Sequence, residues 1–176
     1  LDRVGADFGR VVEMLRERLG VKPLVLQLPI GAEDTFRGVI DLVDQRALLW
    51  HGGVAGEPFA IEAIPEALTE AATSARARMV EMVVEQDDAL LNDWLNGIEP
   101  SAEQLRAGIR RGTLTGAFVP VLAGSAFKNR GVEPLLDAVV AYLPAPGEVS
   151  GDEAQPESDP EGPLAALAFK VVEDAH

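Results

Sequence analysis

The clearest structural signal in the chain is the segment AFVPVLAGSAFKNRG, which occupies residues 117–131. Its first half, residues 117–123, is an apolar run with the length and composition of a buried strand. A loop of small and polar residues, Gly124–Arg130, leads from this run into a helical pattern at residues 131–143. The loop therefore lies where open α/β sheets bind ligands, just past the C-terminal end of a strand, although an ordinary strand-to-helix turn has the same pattern.

A helix followed by a strand also opens the chain. Residues 7–19 place their apolar side chains on one helical stripe, and Gly20 stands where a left-handed residue would end the helix. Leu24–Leu28 then predicts a second, largely buried strand, which the Pro-Ile-Gly of residues 29–31 breaks. Strands separated by helices favour a parallel α/β layer.

The long stretch between the two predicted strands has the character of an insertion. Three runs in it predict a small antiparallel meander, at residues 36–43, 47–50 and 58–61. Residues 65–95 have helical periodicity, and a second, short helix is expected to begin at Asp87-Asp88. Ser101, with Gln104 three residues later, has the form of a capping box and predicts another helix.

Composition excludes several classes of protein. The 176 residues suffice for one compact domain, or for one domain with a small lobe. Their 15 basic and 29 acidic side chains leave a net charge of −14, which argues against a free-standing nucleic-acid-binding module. The absence of cysteine excludes disulfides, thiolate metal sites and cysteine nucleophiles. The sequence shows neither an N-terminal leader nor an apolar run near the roughly 20 residues that cross a bilayer, so we expect a cytoplasmic protein.

Few residues have the pattern of a catalytic or metal site. The two histidines, His51 and His176, are too few for a multi-histidine metal centre, and His51 is interpreted as structural. Asp87 and Asp88 lack further ligands for a cation and are interpreted as a solvated helix start. A phosphate-binding Gly-x-x-x-x-Gly-Lys-Ser/Thr motif does not occur in the sequence.

The last part of the chain differs from the rest. Residues 144–163 contain five prolines and six acidic side chains but no lysine or arginine, which is typical of a linker. A strand pattern resumes at Leu164–Val172. We therefore expect that the chain ends at the start of another domain.

Five stretches together resemble translation elongation factor G, in that family's order: residues 1–8, 26–31, 36–42, 124–132 and 135–139. Residues 165–170 also resemble the opening of the family's second domain. The resemblance implies an α/β fold, in which a partial P-loop-GTPase-type sheet of parallel strands and helices is interrupted by an α+β insertion.

The resemblance also implies a domain division. Residues 1–29 and 117–145 would form the C-terminal part of the GTPase domain, and residues 30–116 the inserted G′ subdomain. An acidic, proline-rich linker would follow at 146–163, and the first strand of the second, β-barrel domain at 164–176.

Four residues match the guanine-recognition motifs of that family. Leu1-Asp2 falls on the last two positions of its Asn-Lys-x-Asp motif, and Ser125 and Ala126 match its Ser-Ala loop, which Phe127 extends. The resemblance implies that the Asp2 carboxylate accepts the two N–H donors of the guanine edge, while the Ala126 N–H faces the guanine oxygen. Asp2 and the 125–127 loop should then lie close together.

The remaining catalytic parts lie upstream in the family. Its P-loop, both switch regions and the catalytic histidine match nothing in this sequence, so no catalytic residue is assigned to this chain. The parent would bind and hydrolyse GTP, with Mg²⁺ ligands outside this chain, to drive movement of tRNA and messenger RNA on the ribosome. The piece alone should be inactive.

The insertion would contact the ribosomal stalk protein. Glu81, Glu85 and Asp88 are spaced i, i+4 and i+7, so they share one helix face if the helix continues through Asp88. Such a row of like charges suits a basic partner, although a solvated polar face has the same pattern. Glu66 and Glu70 are a weaker extension of this surface, and direct contact with nucleic acid or a membrane is not expected.

Three alternatives remain open. The parent could be an elongation factor G paralogue, including one devoted to ribosome recycling, or, more distantly, a tetracycline-resistance ribosomal protection protein. Outside the superfamily, the chain could be a non-enzymatic acidic α/β protein-binding module.

Overall fold

Strand and helix formation follows the hydrophobic patterning closely. The computed structural model describes residues 1–52, 58–145 and 148, and within them lie six strands and five α-helices. The helices are α1 Phe8–Leu19, α2 Thr69–Val84, α3 Asp88–Leu95, α4 Ala102–Leu114 and α5 Val132–Tyr142. The strands are β1 Pro23–Val25, β2 Gln27–Ile30, β3 Gly38–Asp41, β4 Arg46–Leu49, β5 Ala60–Glu62 and β6 Val119–Val121. Two short 3₁₀ turns are also present, at Glu33–Thr35 (the Glu33 turn) and Glu66–Leu68.

The strands form two sheets of opposite kind. Strands β1 and β6 pair in parallel, with Leu24 opposite Pro120. Strands β2, β3, β4 and β5 pair in that order as an antiparallel meander. The fold is therefore mixed α/β as predicted, with a parallel two-stranded sheet and a separate antiparallel four-stranded sheet.

The predicted single strand Leu24–Leu28 is instead two strands in two sheets. The change occurs at Leu26, whose N–H donates to Val121 O beside the parallel sheet, while its carbonyl accepts from Leu42 N beside the meander, both at 3.0 Å. The prediction that Pro29 breaks the strand is also wrong. Pro29 lies inside β2, where it is tolerated because β2 is an edge strand of its sheet.

The second predicted buried strand, residues 117–123, is shorter and more exposed than expected. Strand β6 has three residues, and 44% of Val119 is accessible to solvent. The burial that the pattern indicated belongs to the flanking residues Phe118 and Ala123. Strand β6 pairs with β1 alone among the described strands, which leaves its other edge open.

Helix ends follow the predicted capping chemistry. Asp7 caps α1 by accepting the N–H of Arg10, and Gly20 ends that helix in the left-handed conformation at φ 65°. At α4, Ser101 Oγ accepts from Gln104 N and Gln104 Oε1 accepts from Ser101 N, which confirms the predicted capping box.

Two hydrophobic clusters stabilise the chain from Leu1 to Leu143. The larger joins the parallel strands, the meander and α2–α4, with Leu24, Ile40 and Val83 among its fully buried members. The smaller consists of Phe36, Val39, Leu48, Trp50 and Ala123, with Leu1, Phe8 and Phe59 packed against it. This second cluster lies where the meander meets both the N-terminal residues and the end of β6.

Helix α5 exposes most of its apolar side chains, whereas an amphipathic helix would be expected to bury them. Pro134 and Tyr142 are buried, while several other apolar side chains of this helix are exposed, namely Leu135, Leu136, Val139 and Val140. No helix in the described part of the chain combines the length and apolar character needed to span a membrane.

The chain divides into two units, Leu1–Leu143 and Pro144–His176. In the second unit, Ala145 and Glu148 form a local turn in which the N–H of Ala145 donates to the Glu148 carboxylate at 2.7 Å. The predicted linker at 146–163, apart from Glu148, and the predicted strand at 164–176 lie outside the described residues.

Candidate functional site

Two segments that are 123 positions apart in sequence meet at one point of the surface. Ser125 Oγ donates a hydrogen bond of 2.7 Å to Asp2 Oδ1, and the backbone nitrogen of Leu1 donates to Gly124 O at 2.9 Å. The expected proximity of Asp2 to the 125–127 loop is therefore observed. Because β6 ends at Val121, the meeting point lies just beyond the C-terminal end of a parallel strand.

The loop that carries Ser125 is closed by its own backbone. Ser125 and Arg130 exchange N–H···O bonds of 2.8 and 3.0 Å, and Ser125 Oγ also accepts the N–H of Lys128 at 3.2 Å. Asn129 takes a left-handed conformation at φ 49°, which lets the chain reverse within four residues. The hydroxyl of Ser125 is thus fixed between Asp2 and its own loop.

Glycine is required at the base of the loop. A Cβ on Gly131, which has φ 84°, would lie 2.7 Å from Ala123 O. A Cβ on Gly124 would lie 2.8 Å from Arg130 O. The two glycines allow the strand end and the helix start to approach closely, which sets the loop's position beside Asp2.

The loop presents an exposed edge to solvent. Ala126 is exposed, and its backbone N–H donates to no acceptor among the described residues. Phe127 is 93% accessible, and Ser125 is only 3% accessible. A fixed carboxylate, a free backbone donor and an exposed aromatic ring therefore lie together on this part of the surface.

The electrostatics favour an ionised carboxylate at position 2. The hydrogen bond from Ser125 is the main cause that holds the pKa of Asp2 below its usual value, and the Asp2 backbone N–H acts in the same direction. An ionised carboxylate accepts hydrogen bonds and donates none. The group is therefore suited to a ligand edge with two adjacent N–H donors, since one carboxylate can accept both.

The condition for a shared acidic helix face from Glu81 to Asp88 is not met, because the second, short helix predicted to begin at Asp87-Asp88 is present. Helix α2 ends at Val84 with Glu85 as its C-cap, and α3 begins at Asp88. The helix stops because Asp87 N–H donates to Val84 O at 3.1 Å, three residues back, and Asp87 then starts a new helix as its N-cap.

The acidic side chains of this patch still lie on the surface. Glu81, Glu85 and Asp88 are all exposed, and so are Glu66 and Glu70. Glu66 belongs to a 3₁₀ turn and Glu70 to the first turn of α2. These side chains are therefore available to a partner, although the i, i+4, i+7 spacing does not describe their arrangement.

The remaining sequence candidates have local structural partners. Asp87 accepts the N–H groups of Ala89 and Leu90, and its hydrogen bond with Arg111 lowers its pKa. His51 Nε2 lies 3.0 Å from Glu62 Oε1 at the surface. In the part of the chain that the structure describes, no group of three or more His, Cys, Asp or Glu side chains could hold a metal ion.

Sequence reasoning missed two residues that contact the site. The N–H of Glu33 donates to Leu1 O, and the guanidinium of Arg130 donates to Phe36 O. Glu33 has φ 56°, a left-handed conformation that nothing in the side-chain pattern indicates. Arg130 lies inside the loop that the sequence singled out. The carbonyl to which it donates belongs to Phe36, 94 positions earlier, and no sequence pattern indicates that pairing.

Comparison with known proteins shows similarity to a solved structure. A scan against known protein families finds no match. A crystal structure of a protein from Thermus thermophilus is similar to this chain, with a TM-score of 0.70 and 29% sequence identity. The similarity covers 82% of this chain and 21% of the Thermus protein, so the chain spans about a fifth of that protein's length.

Proposed function

We propose that the chain is a segment of a translational GTPase of the elongation factor G type, and that it supplies the guanine-specificity part of the nucleotide site. In this proposal the parent protein binds and hydrolyses GTP in the cytoplasm to drive tRNA and messenger RNA through the ribosome. The segment itself contributes no catalytic residue. The phosphates and Mg²⁺ would be held by residues outside it.

The observation that carries the proposal is the hydrogen bond between Ser125 and Asp2. The resemblance alone assigns these two residues to one base-recognition site. Two residues chosen at random 123 positions apart would seldom be in contact, so the hydrogen bond supports that assignment. The similarity to a longer Thermus thermophilus protein agrees with the view that the chain is one segment of a larger molecule.

The chemistry of the site matches guanine better than adenine. The ionised Asp2 carboxylate would accept from N1–H and from the exocyclic amine, and the free Ala126 N–H would donate to O6. Adenine has no N1–H, and its own amine would face the Ala126 N–H, so two donors would oppose each other.

The proposal is tested by nucleotide titration of the full-length gene product. GDP, inosine diphosphate and ADP are compared by calorimetry in the presence of Mg²⁺. Inosine lacks only the exocyclic amine, so the loss of one charge-assisted hydrogen bond should weaken binding by about 10- to 100-fold relative to GDP. ADP should show no measurable binding. Equal affinity for GDP and ADP, or no binding of either, would contradict the proposal.

We further propose that the exposed acidic patch of the insertion, which comprises Glu81, Glu85 and Asp88, contacts the ribosomal stalk protein. Three exposed carboxylates in a chain of net charge −14 favour a basic protein surface over RNA. These three residues stand at the end of α2 and the start of α3.

A further inference from the structure

Both halves of the candidate base site are bonded to one region of the insertion, the Glu33 turn and the Phe36 that follows it. On the first half, the N–H of Glu33 donates to Leu1 O at 2.9 Å, and Glu33 Oε1 accepts the N–H of Gly5 at 2.7 Å. Glu33 thus holds the chain on both sides of Asp2, through its backbone and through its carboxylate. The Asp2 position is therefore tied to the Glu33 turn on both sides.

The second half is bonded to the same region through Arg130. The backbone of Arg130 exchanges two hydrogen bonds with Ser125, so any movement of Arg130 is transmitted to the serine. Its guanidinium donates to the carbonyl of Phe36 and, at 3.5 Å, to that of Gly52. Phe36 directly follows the Glu33 turn, and its N–H donates to Glu33 O at 3.4 Å.

The conformation of Glu33 indicates that its position is imposed by these contacts. Glutamate disfavours the left-handed region, and Glu33 has φ 56° there. Strain of this kind persists only where the surroundings determine the conformation. The surroundings in this case are the bonds to Leu1 and Gly5, together with the Thr35 hydroxyl, which accepts from Ala32 N and donates to Ala32 O.

Packing reinforces the same connection. Phe36 is fully buried in the smaller hydrophobic cluster together with Ala123, the residue that precedes the loop, and Leu1 packs against that cluster. The two halves of the site therefore share one apolar support, and the polar contacts of Glu33 and Arg130 orient them above it.

We infer that Glu33 and Arg130 are positioning residues that hold Asp2 and the Ser125 loop at the spacing required to recognise a guanine base. The inference rests on the proposed function. Neither residue need touch the base itself, since each acts through Leu1–Gly5 or through Ser125.

The test measures dissociation of fluorescent GDP from the full-length protein. Glu33→Ala and Arg130→Ala should each speed dissociation by about tenfold, the effect of losing one charge-assisted hydrogen bond. Glu33→Gln keeps an oxygen acceptor for Gly5 N–H and should restore slow dissociation. Arg111→Ala is the control, because Arg111 also donates to a backbone carbonyl, that of Gln86, and to the Asp87 carboxylate, and neither acceptor belongs to the candidate base site.

A double-mutant cycle distinguishes positioning from general stability. In a Ser125→Ala background the Arg130→Ala change should lose most of its effect on GDP dissociation, since both act through the same loop. Full additivity of the two changes would overturn the inference, as would wild-type dissociation rates in both alanine variants. If Arg130→Ala does not fold, Arg130→Lys carries the same comparison. Failure of the unaltered protein to bind GDP would instead overturn the proposed function, and the inference with it.

Discussion

Replacing Gly31 by alanine should destabilise the Glu33 turn and the base site that depends on it. Gly31 has φ 82°, and a Cβ there would lie 2.7 Å from the carbonyl carbon of Thr35 and closer still to its oxygen. Ordinary contact begins near 3.4 Å, so the backbone of the turn must move. Left-handed strain costs alanine about 1–2 kcal/mol, and overpacking against backbone adds about 1–3 kcal/mol. We expect a total loss of about 2–5 kcal/mol.

Gly97→Ala is a matched control for this change. Gly97 has nearly the same backbone angle, φ 83°, but a Cβ there meets nothing within 4 Å. The Gly97→Ala change should therefore lower the free energy of unfolding only by the left-handed strain, about 1–2 kcal/mol. The measurement is urea unfolding followed by tryptophan fluorescence, since Trp50 is buried in the cluster beside the turn. Equal losses for the two variants would refute the steric reasoning.

Three further changes test other parts of the structure. Burial raises the pKa of Tyr142 from its ordinary value of 10.0 to about 12, so the folded state favours the neutral phenol. The free energy of unfolding should therefore fall as the pH rises from 10 to about 12. Urea unfolding over this range should show a smaller fall for Tyr142→Phe. Combined Glu81→Lys, Glu85→Lys and Asp88→Lys changes in the full-length protein should weaken stalk-dependent stimulation of GTP hydrolysis, and unchanged stimulation at low and physiological salt would exclude this contact. Ser101→Ala should lower the free energy of unfolding by about 1 kcal/mol, because it removes the N-cap of α4, whereas Ser101→Thr should cost less.

Local chemistry explains which features the sequence could predict. Helix α1 and the capping box at Ser101 depend on residues within one or two turns, so their patterns are complete in the sequence. The loop at 124–131 was also predictable, because its glycines and its place after an apolar run are local features. The pairing of Asp2 with Ser125 needed the family resemblance, since no local pattern relates residues 123 positions apart.

Features that depend on distant partners were mispredicted for a physical reason. Leu24–Leu28 is one apolar run, but hydrophobicity does not reveal that Leu26 bonds Val121 on one side and Leu42 on the other. Glu33 has no sequence signal at all, because its left-handed conformation is imposed by contacts with Leu1 and Gly5.

The most direct test of the base site is an exchange of specificity at Asp2 in the full-length protein. Asparagine keeps one acceptor for the base N1–H but replaces the other oxygen by an N–H₂ donor, which opposes the guanine amine and matches the C2 oxygen of xanthine. Asp2→Asn should lower GDP affinity by at least about 100-fold and make xanthosine diphosphate the preferred nucleotide. The same change at the nearby exposed Asp34 should leave the preference for GDP unaltered. Retention of GDP preference by Asp2→Asn would contradict the account.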